Sequence, residues 1–160
     1  MDRMTSILAF MLLSAALPAA DGMGPAERRE ALLKNAEGGD PTAFVAALSD
    51  DNLVVRRTAA RLLARMGPSA ESALAKAFEN NDPLVRRTAL RALCRLRAEQ
   101  ALAWAKRGLT DQDSTVRRLA VDWCVGQPRT DTITGMLVGL RADADPAIRD
   151  AVRAALFPFQ

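Results

Sequence analysis

The sequence predicts an all-α chain: a stack of about four helix pairs behind a leading helix. Three observations carry this prediction. The composition is apolar without being aromatic, at 49% hydrophobic with five Phe, two Trp and no Tyr, which suits closely packed helices. Four segments repeat one pattern. Good helix caps and breakers fall at fixed points around each copy.

The repeated segments are Asn52-Leu53-Val54-Val55-Arg56-Arg57-Thr58-Ala59, Asp82-Pro83-Leu84-Val85-Arg86-Arg87-Thr88-Ala89, Asp113-Ser114-Thr115-Val116-Arg117-Arg118-Leu119-Ala120 and Asp145-Pro146-Ala147-Ile148-Arg149-Asp150-Ala151-Val152. Their β-branched anchors Val55, Val85, Val116 and Ile148 lie 30, 31 and 32 residues apart. Eight positions further on stand Leu63, Leu93, Cys124 and Leu156, and upstream Leu48, Phe78, Leu109 and Leu140 keep nearly the same spacing. Self-similarity held at three separate points marks a repeat architecture.

Each copy has room for two helices. The second, B, starts at an N-cap, Asn52, Asp82, Asp113 or Asp145, with Pro83 and Pro146 at the first helical position. From Val55, apolar or small residues fall at Ala59, Leu62, Leu63 and Met66, one stripe of a helix. Gly67-Pro68 is expected to stop that helix. The shorter first helices, A, are expected over about 41–48, 70–79, 100–109 and 131–140, and a leading helix over 26–37 closed by Gly38-Gly39. With Gly135 and Gly139, the fourth A helix is expected to be the least stable. The repeats therefore run over about 41–66, 69–97, 99–126 and 130–157 of a domain spanning 23–160.

This D-x-x-V-R-x-x-A-x-x-x-L spacing with a period near 30 resembles HEAT repeats, in particular the short HEAT-like type first named for phycobilisome lyases. The resemblance covers about 41–156. It implies a right-handed α-solenoid (superhelix) whose B helices line the concave side. It also implies that Arg56, Arg86, Arg117 and Arg149, one place after each anchor, bond to loop acids of adjacent repeats as a ladder. The function it implies is broad, since such repeats serve scaffolds, lyases, a DNA glycosylase family and regulators alike.

Residues 1–22 resemble a secretory signal peptide. Asp2 and Arg3 precede an apolar run from Ile7 to Leu17, followed by Pro18-Ala19-Ala20 and polar Asp21-Gly22. That run is too short for a bilayer core, which takes about 20 residues. An exported chain, periplasmic or secreted and without a stable membrane anchor after cleavage, is expected. The alternative is a cytoplasmic chain whose first segment is an amphipathic capping helix. The Phe157–Phe159 segment is expected to fold over the last helix as a lid.

Composition excludes much chemistry. No His is present, which removes Ser-His and Cys-His nucleophiles and imidazole metal sites. Two cysteines, Cys94 and Cys124, are too few for a zinc cluster. Their helical phases differ, with Cys124 on the buried face and Cys94 among exposed arginines, so no disulfide is expected. Trp104 and Trp123 read as packing residues. No acid-base pair or Gly-rich phosphate loop stands out. No catalytic, cofactor or metal residue is assigned.

The formal net charge is +3, too small to imply nucleic acid by itself. Arginine outnumbers lysine 19 to three. With Val55 at zero angle, Arg57, Arg61 and Arg65 fall opposite the apolar stripe in steps of four, and Arg87, Arg91 and Arg95 repeat this on the next B helix. The third B helix offers Arg118 and then Asp122, the fourth Asp150. Two readings of this panel stay open: a solvated face made Arg-rich by coding bias, or a docking surface for an acidic partner. The expected function is a non-catalytic protein-binding scaffold, with a polyanion or nucleic-acid binding module and a lyase- or isomerase-type enzyme or its subunit as alternatives.

Overall fold

A computed structural model describes residues 22–96 and 98–157. The signal segment, apart from Gly22, and Phe159 of the proposed lid lie outside the described residues.

The described chain is helical: α1 (Pro25–Lys34), α2 (Pro41–Ala46) continued by a 3₁₀ turn (Ala47–Ser49), α3 (Leu53–Met66), α4 (Pro68–Phe78), α5 (Pro83–Leu96), α6 (Ala98–Gly108), α7 (Ser114–Val125), α8 (Asp131–Val138) and α9 (Pro146–Leu156). The B helices α3, α5, α7 and α9 pack side by side, and α1 packs against the outer flank of α3 as a fifth member of that layer. The A helices α2, α4, α6 and α8 form the second layer, each touching the B helix that follows it. This is the α-solenoid that the resemblance to HEAT repeats implies.

The caps act as their residue types require. The side chains of Asn52, Asp82, Asp113 and Asp145 accept from the backbone N–H of Val54, Leu84, Thr115 and Ala147 at 2.8 Å. These bonds satisfy donors that the first turn leaves without intrahelical partners. Gly67, at φ 63°, ends α3 and also caps α4, with Pro68 as the first residue of α4. The expected stop is therefore also a start, which places this A helix two residues earlier than the sequence suggested. Proline's fixed φ and missing N–H suit the first helical position.

All four anchors are buried, from Val85 at 4% exposure to Val116 and Ile148 at 0%. Leu63, Leu93 and Cys124 eight places on are buried as well, while Leu156 is half-buried. Each anchor contributes about 1.5–3 kcal/mol by leaving water. Phe44, Leu48, Leu74, Phe78, Ala105, Leu109, Ile133 and Leu137 meet them from the A layer. Gly108 lets α6 come close to α5 and α7, since a Cβ there would stand 2.5 Å from Leu90 Cδ2 and 3.0 Å from the Ala120 Cβ. Gly135 lies exposed within α8 and Gly139 caps it.

Candidate functional site

Arginines fall into two sets that differ in what they touch. The first set joins the repeats. Arg86 on α5 donates from Nε and Nη2 to the two oxygens of Asp111 at 2.9 and 2.8 Å. Its Nη1 donates to the carbonyls of Asn80 and Asn81. Arg117 on α7 repeats this with Asp143 at 2.8 Å for both bonds, and with the carbonyls of Asp111 and Gln112. Such two-point Arg–carboxylate pairs are the strong form of the charge-assisted hydrogen bond. The hydrogen bond to Asp111 raises the pKa of Arg86, and that to Asp143 raises the pKa of Arg117 and lowers that of Asp143.

The ladder differs from its expected membership at three places. Arg28 on α1, not anticipated from the sequence, forms a rung with Asp50 at 2.8 and 2.9 Å, touches Asp51, and donates to the carbonyl of Met23. The leading helix is thus a degenerate B helix. Gly24-Pro25-Ala26-Glu27-Arg28 keeps the Pro and the Arg of Asp82-Pro83-Leu84-Val85-Arg86 but has Glu27 at the anchor. Arg56, expected in the ladder, bonds only its own loop carbonyls among the described residues, Asp50 at 2.6 Å and Asp51 at 2.8 Å. The position held by Asp50, Asp111 and Asp143 in the other copies is Asn80 in the next repeat, which carries no charge. Arg149 likewise holds only the carbonyls of Asp143 and Ala144 among the described residues.

The second set is the panel. Arg57, Arg61 and Arg65 on α3 and Arg95 on α5 are exposed as expected, whereas Arg87 and Arg91 are half-buried. Arg87 and Arg91 line depressions on both sides of α5, where residues of α3 and α7 cover them in part. Among the described residues, none of the six forms an ion pair. Burial lowers the pKa of Arg91, repulsion from Arg87, Arg95 and Arg57 lowers it further, and Asp122 opposes them. The structure brings Arg57, Arg61, Arg87, Arg91 and Arg95 around one depression of about 280 Å³ between α3 and α5, with Leu53 and Arg56 in its wall. Arg65 does not line it. A neighbouring depression runs from Arg87 and Arg91 to α7, where Arg118 is neutralised by Asp122 at 2.8 Å.

The remaining candidates read as structural. Both cysteines are free thiols. Burial pushes Cys94 up to about 12, with a smaller push from Cys124, whose own pKa burial raises to about 11. Cys94 is half-buried, not exposed, and lies near enough to feel the Cys124 charge. Helical phase alone did not show this, since it ignores the neighbouring helix. Trp104 packs edge-on against Phe78 at 6.1 Å, under Arg107. Phe157 is 43% exposed beside Arg141. Among the described residues no group of His, Cys, Asp or Glu is arranged to hold a metal ion, and no helix is long and apolar enough to cross a membrane.

Comparison with curated proteins gives no match. One solved structure similar to this chain is a designed armadillo repeat protein in complex with the peptide (KR)4. It shares 18% identity and a TM-score of 0.49 over 92% of this chain and 82% of that one. Among models of known families, HEAT repeats match residues 41–122. That match spans just over half of the chain and takes in the caps Asn52, Asp82 and Asp113, the anchors Val55, Val85 and Val116, helices α3 and α5 and most of α7, so the chain belongs to the HEAT-repeat family.

Proposed function

We propose that this protein is a non-catalytic scaffold that docks an acidic partner protein on the arginine surface of α3 and α5. The observation that carries the reading is the contrast between the two arginine sets. Arg28, Arg86 and Arg117 each hold a carboxylate, while six arginines on two adjacent helices hold none among the described residues. Clustered like charges repel, and an acidic partner relieves that repulsion on binding. Guanidinium groups suit planar two-point recognition of carboxylates. Base-stacking aromatics, which single-stranded nucleic-acid surfaces use, do not line the depression.

A labelled ten-residue polyglutamate tests this. It is expected to bind at low salt and to lose roughly tenfold in affinity between about 50 and 200 mM salt, as screening removes exposed charge–charge attraction. Equal or tighter binding of a ten-residue thymidine oligonucleotide would replace the acidic-protein reading with a nucleic-acid one.

The proposal includes export of the chain, supported by the apolar run Ile7 to Leu17 and the small residues after it. The protein recovered from its host is expected to lack its first 19 to 22 residues by intact mass. A cytoplasmic species beginning at Met1 would overturn export and leave the docking surface unaffected.

A further inference from the structure

We propose that Arg56 is a rung of the ladder left open, and that the acidic partner closes it with an Asp or Glu side chain. The inference rests on the docking reading above and names its central contact.

The molecule supplies its own template. In each filled rung, Nη1 of the arginine is held by two carbonyls of its own loop or, at Arg28, by that of Met23. That leaves the Nε–Nη2 edge directed at the next repeat, where it takes both oxygens of Asp50, Asp111 or Asp143. Arg56 is anchored in the same way at Nη1. Its other edge has no acceptor among the described residues, so the fork is held in place without its anion. Preorganisation of this kind lowers the ordering cost of binding.

Asn80 explains why the rung is open. Its Oδ1 accepts from the backbone N–H of Asp82 at 2.8 Å, the same loop bond that Asp111 and Asp143 make with Asp113 and Asp145. The loop is therefore kept and only the charge is missing. The acids of filled rungs are covered, at 10%, 7% and 5% side-chain exposure for Asp50, Asp111 and Asp143, while Asn80 is exposed.

The open rung also sits where the panel converges. Arg56 shares its depression with Arg57, Arg61, Arg87, Arg91 and Arg95. Leu53, 44% exposed, lines the same depression and offers an apolar contact beside the carboxylate. The fitting occupant is an acidic segment of a partner protein that also carries an apolar side chain.

Asn80→Asp tests the rung, because it supplies the missing acid from within the chain. The variant is expected to melt roughly 5–12 °C higher, the shift of one added charge-assisted pair. It should bind labelled decaglutamate roughly tenfold more weakly, since the partner's carboxylate is displaced. Asn81→Asp adds the same charge one residue away and is expected to weaken binding less than about twofold, as a screened surface charge does. Equal losses in the two variants would overturn the open rung and leave the docking reading intact. Should Asn80→Asp fail to raise the melting temperature, Arg56→Lys decides, because it keeps the charge and loses the fork. Unchanged affinity in that variant overturns the proposal. Decaglutamate binding that survives Arg61→Glu with Arg91→Glu would instead overturn the docking reading itself.

Discussion

Replacing Arg86 by Ala is expected to lower the melting temperature by roughly 10–15 °C. Arg86 and Asp111 expose only 7% of each side chain, and the guanidinium makes four hydrogen bonds at 2.8–2.9 Å. Truncating Arg86 strands a covered carboxylate and removes the donor from two loop carbonyls. Breaking a buried pair from one side costs about 3–5 kcal/mol, because the remaining charge has lost both water and partner. For a domain of this size each kcal/mol shifts melting by about 3–4 °C. Arg91→Ala gives the contrast. It removes a guanidinium that is half-buried, without an ion pair among the described residues, and repelled by Arg87, Arg95 and Arg57. Its melting temperature is expected to stay within about 2 °C of the parent or to rise. Thermal melts of the two variants side by side check this, and similar losses would erase the distinction between ladder and panel.

That distinction was only partly legible in the sequence. Period, caps and anchors were legible because each rests on local chemistry: Asp and Asn satisfy helix N-termini, and Val or Ile returns to the same face at each copy. Arg28 was missed because Glu27 and Asn35 stand where an anchor and the leucine eight places on would be, which hides a fifth B helix from an apolar template. A template of Pro and Arg alone would have found it in Pro25 and Arg28. The open rung left a trace as well, since Asn80 breaks the series Asp50, Asp111, Asp143, but its meaning needed the hydrogen bonds that link one repeat to the next. Half-burial of Arg91 was beyond a helical wheel, which gives an angle and says nothing of how near α3 and α7 stand. The same limit applied to Cys94.

Reversing Arg61 and Arg91 together to Glu is expected to weaken acidic-peptide binding by two to three orders of magnitude at low salt. Both residues line the depression between α3 and α5. The parent panel carries six positive charges and the variant four positive and two negative. Each charge-assisted hydrogen bond lost is worth about 1.5–3 kcal/mol, and each carboxylate introduced then repels the ligand. A total of roughly 3–4 kcal/mol corresponds to that loss of affinity. The fold is expected to persist, because Glu at 91 would stand among Arg87, Arg95 and Arg57, exchanging repulsion for attraction, although Asp122 faces it too. Circular dichroism should therefore stay helical and melting should not fall by more than about 2 °C, within the usual range for substitutions that break no buried network. Titration of labelled decaglutamate by fluorescence anisotropy at low salt reads the outcome. Retained affinity would mean that the panel is a solvated face. The surface to test next would then be the arginines around Phe157, where Arg141, Arg149 and Arg153 line another open depression and Arg149 holds only loop carbonyls among the described residues.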